Sequence, residues 1–358
     1  MSALAGPGLQ PPRPRAAPAT RRLALLGTGA VGSAFVARYR LLQQRGLALP
    51  PVAWLANSRA VLKAGRDLEA ALAVANAAPP RAAELQGWAE AEALRPGDVL
   101  VDATASELVA NWHPEWLARG VNVVTANKLG HGGLLARSQA ICEAQARTGA
   151  SYGDSATVGA GLPLLRSLRG LVAGGDHIHA VEGVLSGSLA WLFNRYDGSA
   201  LVAEAASAGY TEPDPRVDLS GEDVRRKLLI LARAAGLALE VRQVQVESLV
   251  PPALAQLPAD AVAAALPQLD AALAARLQQA RAQGGVLRFV GRFDADGAQA
   301  SLQVLPAAHP LAAGAGTDNR VAIRSDRYRE QPLLIQGPGA GAEITAAALL
   351  DDVLRIAA

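Results

Sequence analysis

Residues 23–32 read Leu-Ala-Leu-Leu-Gly-Thr-Gly-Ala-Val-Gly. The first four form an unbroken apolar run, as a strand buried on both faces requires, and Gly27-Thr-Gly-Ala-Val-Gly32 is a G-x-G-x-x-G turn leading into helix-compatible sequence up to about Arg45. Glycines in that spacing let the chain turn tightly, bring its backbone against a pyrophosphate and seat the phosphates at the helix N-terminus. The context predicts the first βα unit of a dinucleotide-binding domain, with Gly27, Thr28, Gly29, Ala30, Val31 and Gly32 at the cofactor. In an NAD-selective site the second strand ends in a carboxylate that takes the ribose 2′-hydroxyl. Here Val52–Leu55 runs into Ala-Asn-Ser-Arg59, and Ser58, Arg59 and Lys63 offer partners to a 2′-phosphate. NADP is therefore expected as the preferred cofactor and NAD as the lesser one.

Further apolar segments at 99–103 and 121–125 alternate with Ala-rich helical stretches, the rhythm of a parallel sheet covered by helices, so residues 21–150 are expected to form one dinucleotide-binding domain. The loops Thr104-Ala-Ser106 and Ala126-Asn-Lys128 then emerge at the carboxyl edge beside the dinucleotide. Helix capping alone would also account for Thr104 and Ser106, but a lysine directly after a strand end is less easily dismissed. Beyond residue 150 the rhythm stops. Strand-like 180–185, a helix beginning near Ser188, and alternating segments at 286–293, 301–305 and 319–324 predict a second α+β domain over 151–332, a mainly antiparallel sheet with helices on one face. Residues 333–336, the turn Gly337-Pro-Gly-Ala-Gly341 and a helix to about Ile356 read as another strand, turn and helix, expected to return to and complete the first domain.

Composition removes several alternatives. At 358 residues and 51% hydrophobic, the chain has the apolar mass for two cored domains. Thirty-four basic against 32 acidic residues, with no aromatic-interleaved basic block, give no nucleic-acid footprint. No uncharged apolar run approaches the roughly 20 residues of a membrane span, and a single cysteine points to a reducing cytoplasm. Residues 1–20, rich in Pro, Gly and Ala and lacking acidic groups, read as a disordered extension. Cys142 lies mid-helix without a neighbouring histidine, so a thioester mechanism is set aside. His177 and His179 lack a third ligand, and the scattered tryptophans read as core.

The densest polar stretch is 209–227, Gly-Tyr-Thr-Glu-Pro-Asp-Pro-Arg-Val-Asp-Leu-Ser-Gly-Glu-Asp-Val-Arg-Arg-Lys. Its prolines stiffen the loop, Asp218 or Ser220 is placed to cap a helix running through Lys227, and Asp223 and Lys227, four apart, share a face of that helix. Glu212, Asp218 and Asp223 can surround a small cationic group while Lys227 offers a proton.

Together with V-D-A-T-A-S (101–106), V-V-T-A-N-K (123–128), A-T-V-G-A-G-L-P (156–163), E-G-V-L-S-G-S (182–188) and G-P-G-A-G (337–341), this stretch resembles homoserine dehydrogenase over about residues 22–357. The resemblance implies an enzyme of threonine and methionine biosynthesis that interconverts aspartate 4-semialdehyde and homoserine with a nicotinamide cofactor, and a homodimer whose second domain also dimerises. A short form is expected, with no regulatory domain after Ala358. Lys227 matches the proton-transferring lysine, Lys128 a second active-site lysine, and Glu212, Asp218 and Asp223 residues that bind the substrate's amino group or order Lys227. Tyr210, Gly187 and Ser188 line the same pocket, and Thr104, Ser106, Asn127, Lys128 and Gly339 join the cofactor set. Three departures stand out. Family members often carry Glu where this chain has Ser155, which leaves the carbonyls of Val158, Ala160 and Leu162 to bind a monovalent cation weakly. Leu129 replaces a frequent second lysine, and Ser188 a more common Thr.

Overall fold

The computed structural model describes residues 21–65, 67–80, 93–196 and 214–358, arranged around two six-stranded sheets. The first contains β1 (Leu23–Leu26), β2 (Val52–Ala56), β3 (Val61–Lys63), β4 (Val99–Asp102), β5 (Asn122–Thr125) and β6 (Tyr152–Gly153), in the order β3-β2-β1-β4-β5-β6. Every neighbouring pair is parallel except β2–β3. β1, β4 and β5 are buried at every residue, the physical reason for their lack of alternation. Helices α1 (Ala30–Gln44) and α2 (Leu68–Ala77) pack with one face, around Leu25, Phe35 and Val101; α3 (Glu107–Ala118) and α5 (Leu135–Thr148) pack on the other through Trp116, Leu117 and Ile141. The short α4 (Leu129–Gly132) follows β5.

Strand order reverses between β1 and β4, the switch point at which open α/β sheets bind ligands. Two glycines are obligatory there. Gly27 has φ +93°, and a Cβ on it would lie 2.8 Å from the Ala103 carbonyl oxygen; a Cβ on Gly32 would lie 2.0 Å from the Gly27 oxygen. β3 corrects one expectation. It runs antiparallel to β2 and pairs Lys63 with Trp54, carrying that lysine back from the carboxyl edge.

The second sheet, ordered β12-β11-β7-β9-β10-β8, contains β7 (Ile178–Val184), β8 (Val244–Val246), β9 (Gly285–Asp294), β10 (Gly297–Pro306), β11 (Asp318–Ser325) and β12 (Leu333–Pro338). Only β8–β10 is parallel. Val181, Phe289, Phe293, Leu302, Val321 and Ile323 form a core with α6 (Leu164–Ala173), α7 (Gly187–Arg195), α9 (Glu222–Ala234) and α10 (Asp270–Ala282). The four-residue α8 (Arg216–Leu219) precedes α9. No helix among the described residues is long and apolar enough to cross a membrane.

The C-terminal tail divides, which corrects the expectation that all of it returns to the first sheet. Its strand, β12, pairs antiparallel with β11, Leu333 opposite Ile323 and Pro338 opposite Asp318. Only α11 (Ala342–Ala357) goes back, burying Ala346, Leu349, Leu350 and Val353 in the core of α1 and β1. A strand, a glycine turn and a helix look the same in sequence whether or not the strand and helix serve one sheet.

Candidate active site

A groove of about 790 Å³ opens over the switch point, lined by Gly27, Thr28, Gly29, Asn57, Ser58, Arg59, Asn76, Thr104 and Ser106 among others. Gly29 caps α1 without any side-chain hydrogen bond, and a Cβ on it would meet nothing, so the uncapped N–H groups of the first turn face open space. This is the cradle a pyrophosphate needs. Thr28 is held from both sides: Oγ1 donates to Asn76 Oδ1 (2.6 Å) and accepts from Asn57 Nδ2 (2.7 Å). Asn57 Oδ1 also accepts the Arg59 N–H (2.7 Å), which leaves the Arg59 guanidinium at the groove, 3.3 Å from the Asn76 carbonyl. No carboxylate lines this groove among the described residues. Asn76, in a helix with no motif, is a groove residue that sequence reading missed; only its place opposite Thr28 reveals it.

Ser106 Oγ accepts the Val109 N–H and caps α3, so capping and groove lining coexist in one residue. Asn127, almost fully buried, ties the two loops: Nδ2 donates to the Ser106 carbonyl (2.8 Å), and Oδ1 accepts the Leu129 N–H (3.1 Å). Its side chain thus braces the loops and leaves its backbone near the edge. Ala30 and Val31 belong to the first turn of α1.

The lysines converge. Lys227, buried on α9, donates to Asp223 Oδ2 (2.7 Å) and to the Leu185 carbonyl oxygen (2.7 Å); Lys128 Nζ, arriving from the other sheet, stands 3.4 Å from Asp223 Oδ1. Burial opposes ionisation of Asp223, but the two ammoniums overcome it and hold the carboxyl well below the usual carboxylate range. Burial pulls Lys227 below the ordinary lysine range; Asp223 and Asp218 pull it back up, while Lys128 adds to the lowering. The cluster is a proton donor of reduced pKa beside a fixed anion. Leu185 is followed by Ser186, whose Oγ caps α7, then Gly187 and Ser188; Ser188 Oγ donates to Asp218 Oδ1 (2.7 Å). Gly187 packs towards Thr317 and Ala340, bringing this turn to the glycine loop that holds Gly339.

Capping of α9 differs from expectation. Gly221, at φ +74°, occupies the cap; Asp218 lies inside α8, and Ser220 Oγ accepts the Glu222 N–H (3.2 Å). Glu222 and Asp223 in the first turn complement the helix dipole. Tyr210 and Glu212 lie outside the described residues, as does the 1–20 extension.

The segment of Val158, Ala160 and Leu162 offers a monovalent cation no free charge. Asp154 is bound bidentate by Arg169 (2.5 and 2.7 Å), and the Leu162 carbonyl accepts the Leu164 N–H. Ser155 gives both its N–H and its hydroxyl to Asp352, which also pairs with Arg355. Among the described residues, the carboxylates beside these carbonyls are thus already paired. His179 pairs with Asp326, and no cluster of three ligating side chains exists among the described residues.

Comparisons with known proteins agree with this geometry. The homoserine dehydrogenase family model matches residues 163–354, and that of the homoserine dehydrogenase NAD binding domain matches 27–152. A bifunctional aspartokinase/homoserine dehydrogenase of Zea mays chloroplasts is 46% identical over 73% of this chain; the match spans 29% of that protein, so the chain corresponds to under a third of its length. The homoserine dehydrogenase of Schizosaccharomyces pombe is 39% identical over 72% of each chain. In structure, a protein of unknown function from Candida auris superposes with a TM-score of 0.81 at 34% identity, covering 94% of this chain and 98% of the other. With both family models accounting for most of its length, this chain belongs to the homoserine dehydrogenase family.

Proposed function

We propose that this protein interconverts L-homoserine and L-aspartate 4-semialdehyde reversibly, a step of threonine and methionine biosynthesis, using NADP in preference to NAD. The observation that carries the reading is the convergence of Lys227 and Lys128 on one carboxylate, Asp223, at the carboxyl edge of the first sheet. A nicotinamide dinucleotide in the groove supplies or accepts the hydride. Reduction of the aldehyde builds negative charge on its oxygen. Lys227, held in direction by Asp223 and the Leu185 carbonyl, stabilises that charge and gives its proton; in the reverse direction it takes the hydroxyl proton. Lys128 adds a second positive charge beside the reacting oxygen. Glu212, Asp218 and Asp223 bind the substrate ammonium or order Lys227, with Tyr210, Gly187 and Ser188 around them. Arg59 and Ser58 meet the 2′-phosphate, and Thr104, Ser106, Asn127 and Gly339 hold the rest of the cofactor. The protein works as a cytoplasmic homodimer, its 151–332 region providing the dimer surface.

The test is turnover with homoserine and each cofactor. Homoserine-dependent reduction of NADP, at higher kcat/KM than of NAD, is expected. No turnover with either dinucleotide would overturn the proposal.

A further inference from the structure

Asp102 closes β4 and is fully buried, as is His113 on α3. Asp102 Oδ1 accepts the backbone N–H of Thr104 (2.8 Å), and Oδ2 lies 2.9 Å from His113 Nε2. His113 Nδ1 in turn lies 2.9 Å from Tyr152 Oη, on β6. Burial, reinforced by the negative charges of Asp154 and Asp102, holds the Tyr152 phenol well above its ordinary range, so the oxygen keeps its proton. The Asp102 carboxylate can only accept, so His113 donates to it through Nε2, and in the neutral ring Nδ1 is left to accept from the Tyr152 hydroxyl. The chain of bonds has one direction throughout.

Its far end supports another loop. A Cβ on Gly130 would lie 2.1 Å from Tyr152 Oη and 3.3 Å from His113 Nδ1, so the backbone of α4 rests directly on the Tyr152–His113 bond. Lys128 is the N-terminal flank of that helix. One buried chain thus touches the loop of Thr104 and Ser106 at one end and the helix of Lys128 at the other. Non-directional apolar packing would fill the same space without fixing its register, whereas hydrogen bonds fix distance and angle together.

We propose that Asp102, His113 and Tyr152 are positioning residues for the dehydrogenase reaction: they set the spacing between the cofactor loop at 104–106 and Lys128, and touch neither substrate nor cofactor. The proposal rests on the reading of Lys128 as an active-site residue. A misplacement of about 1 Å between reacting groups can cost roughly a hundredfold in rate, so the spacing has kinetic weight.

The experiment compares Gly130→Ala, Tyr152→Phe and the double variant as full-length proteins, with kcat, the Kd for NADPH and thermal unfolding measured for each. Gly130→Ala pushes α4 off the Tyr152 oxygen and should lower kcat about tenfold or more, with the NADPH Kd shifted less than about threefold. Tyr152→Phe removes the oxygen 2.1 Å from the new methyl group and leaves it 3.3 Å from the ring carbon Cζ and from His113 Nδ1, so the double variant should lose far less than the product of the two single effects. At the other end, His113→Leu should raise the dinucleotide KM, and His113→Gln, whose amide can still donate to Asp102, should restore most of it. Effects of Gly130→Ala and Tyr152→Phe that multiply, or a His113→Gln variant as impaired as His113→Leu, would overturn the proposal. Lys128→Met serves as the control on its premise: full turnover in that variant rejects the active-site reading and the proposal with it, whereas lost turnover together with multiplying effects rejects the proposal alone.

Discussion

Lys227→Ala is the most direct perturbation of the site. It removes an ammonium that lies 2.7 Å from both Asp223 Oδ2 and the Leu185 carbonyl. Loss of a positioned proton donor costs at least about a hundredfold in turnover, or about 2.7 kcal/mol of barrier. The structure adds two consequences. Among the described residues Asp223 then keeps Lys128, at 3.4 Å, as its ammonium partner, so its carboxyl rises towards the ordinary range. The orphaned Leu185 oxygen costs about 1–3 kcal/mol of stability, offset in part because a buried charge no longer has to be desolvated. The groove residues are untouched, so NADPH binding should change little. Steady-state reduction of aspartate semialdehyde, NADPH titration and thermal unfolding separate these effects. Lys227→Arg sharpens the test, since a guanidinium keeps the charge but releases no proton near neutrality, and it should stay close to Lys227→Ala. In the wild type, aldehyde reduction needs the protonated amine. Its rate should fall, and homoserine oxidation rise, as pH climbs through a pKa below the ordinary lysine range. Near-normal turnover of Lys227→Ala would remove Lys227 from the mechanism, and recovery by Lys227→Arg would replace proton transfer with electrostatics alone.

Arg59→Asp should weaken NADP by about tenfold or more relative to NAD, because the proposed phosphate partner at the groove becomes a repulsive charge; equal losses for both dinucleotides would reject the 2′-phosphate role. His131 is held neutral, burial lowering its pKa from 6.5 to about 4. The folded state thus takes up its proton later than the unfolded chain, and stability present above pH 6.5 should be lost as pH falls towards about 4, by about 3 kcal/mol. Denaturant melts of wild type and His131→Gln across that window check this, the variant giving the flatter curve; parallel curves would refute it. Rates in sodium, potassium and a bulky organic cation at equal ionic strength should agree within about twofold, since the segment at Ser155 holds no uncommitted carboxylate. Strong saturable activation by one alkali ion would contradict that.

The first sheet was legible because buried parallel strands write themselves as unbroken apolar runs, and Gly27 and Gly32 are demanded by backbone contacts that no other residue satisfies. Asp223 and Lys227 were legible because helical spacing puts them on one face. What escaped depends on contacts distant in sequence. Asn76 meets Thr28 across 48 residues, and Ser155 meets Asp352 across 197, and neither pair leaves a local pattern. Lys63 illustrates a local failure. Three residues of antiparallel strand reverse its direction, and nothing in Val61-Leu-Lys63 marks the reversal. The tail misleads because pairing of β12 is decided by β11, not by its own sequence.

The return of α11 to α1 makes the nucleotide-binding unit discontinuous: Leu25, Phe35, Val99 and Val124 share a core with Leu349, Leu350 and Val353. During synthesis the amino-terminal strands leave the ribosome long before the helix that closes them, and the whole second sheet is made in the interval. The apolar flank that α11 covers stays open throughout, a surface for holdase chaperones or for mispairing with another nascent chain. Docking of α11 is then a long-range closure, whose entropic cost grows roughly with the logarithm of the residues it spans. A chain arrested before residue 342 would have every glycine of the phosphate turn and no finished core beneath it.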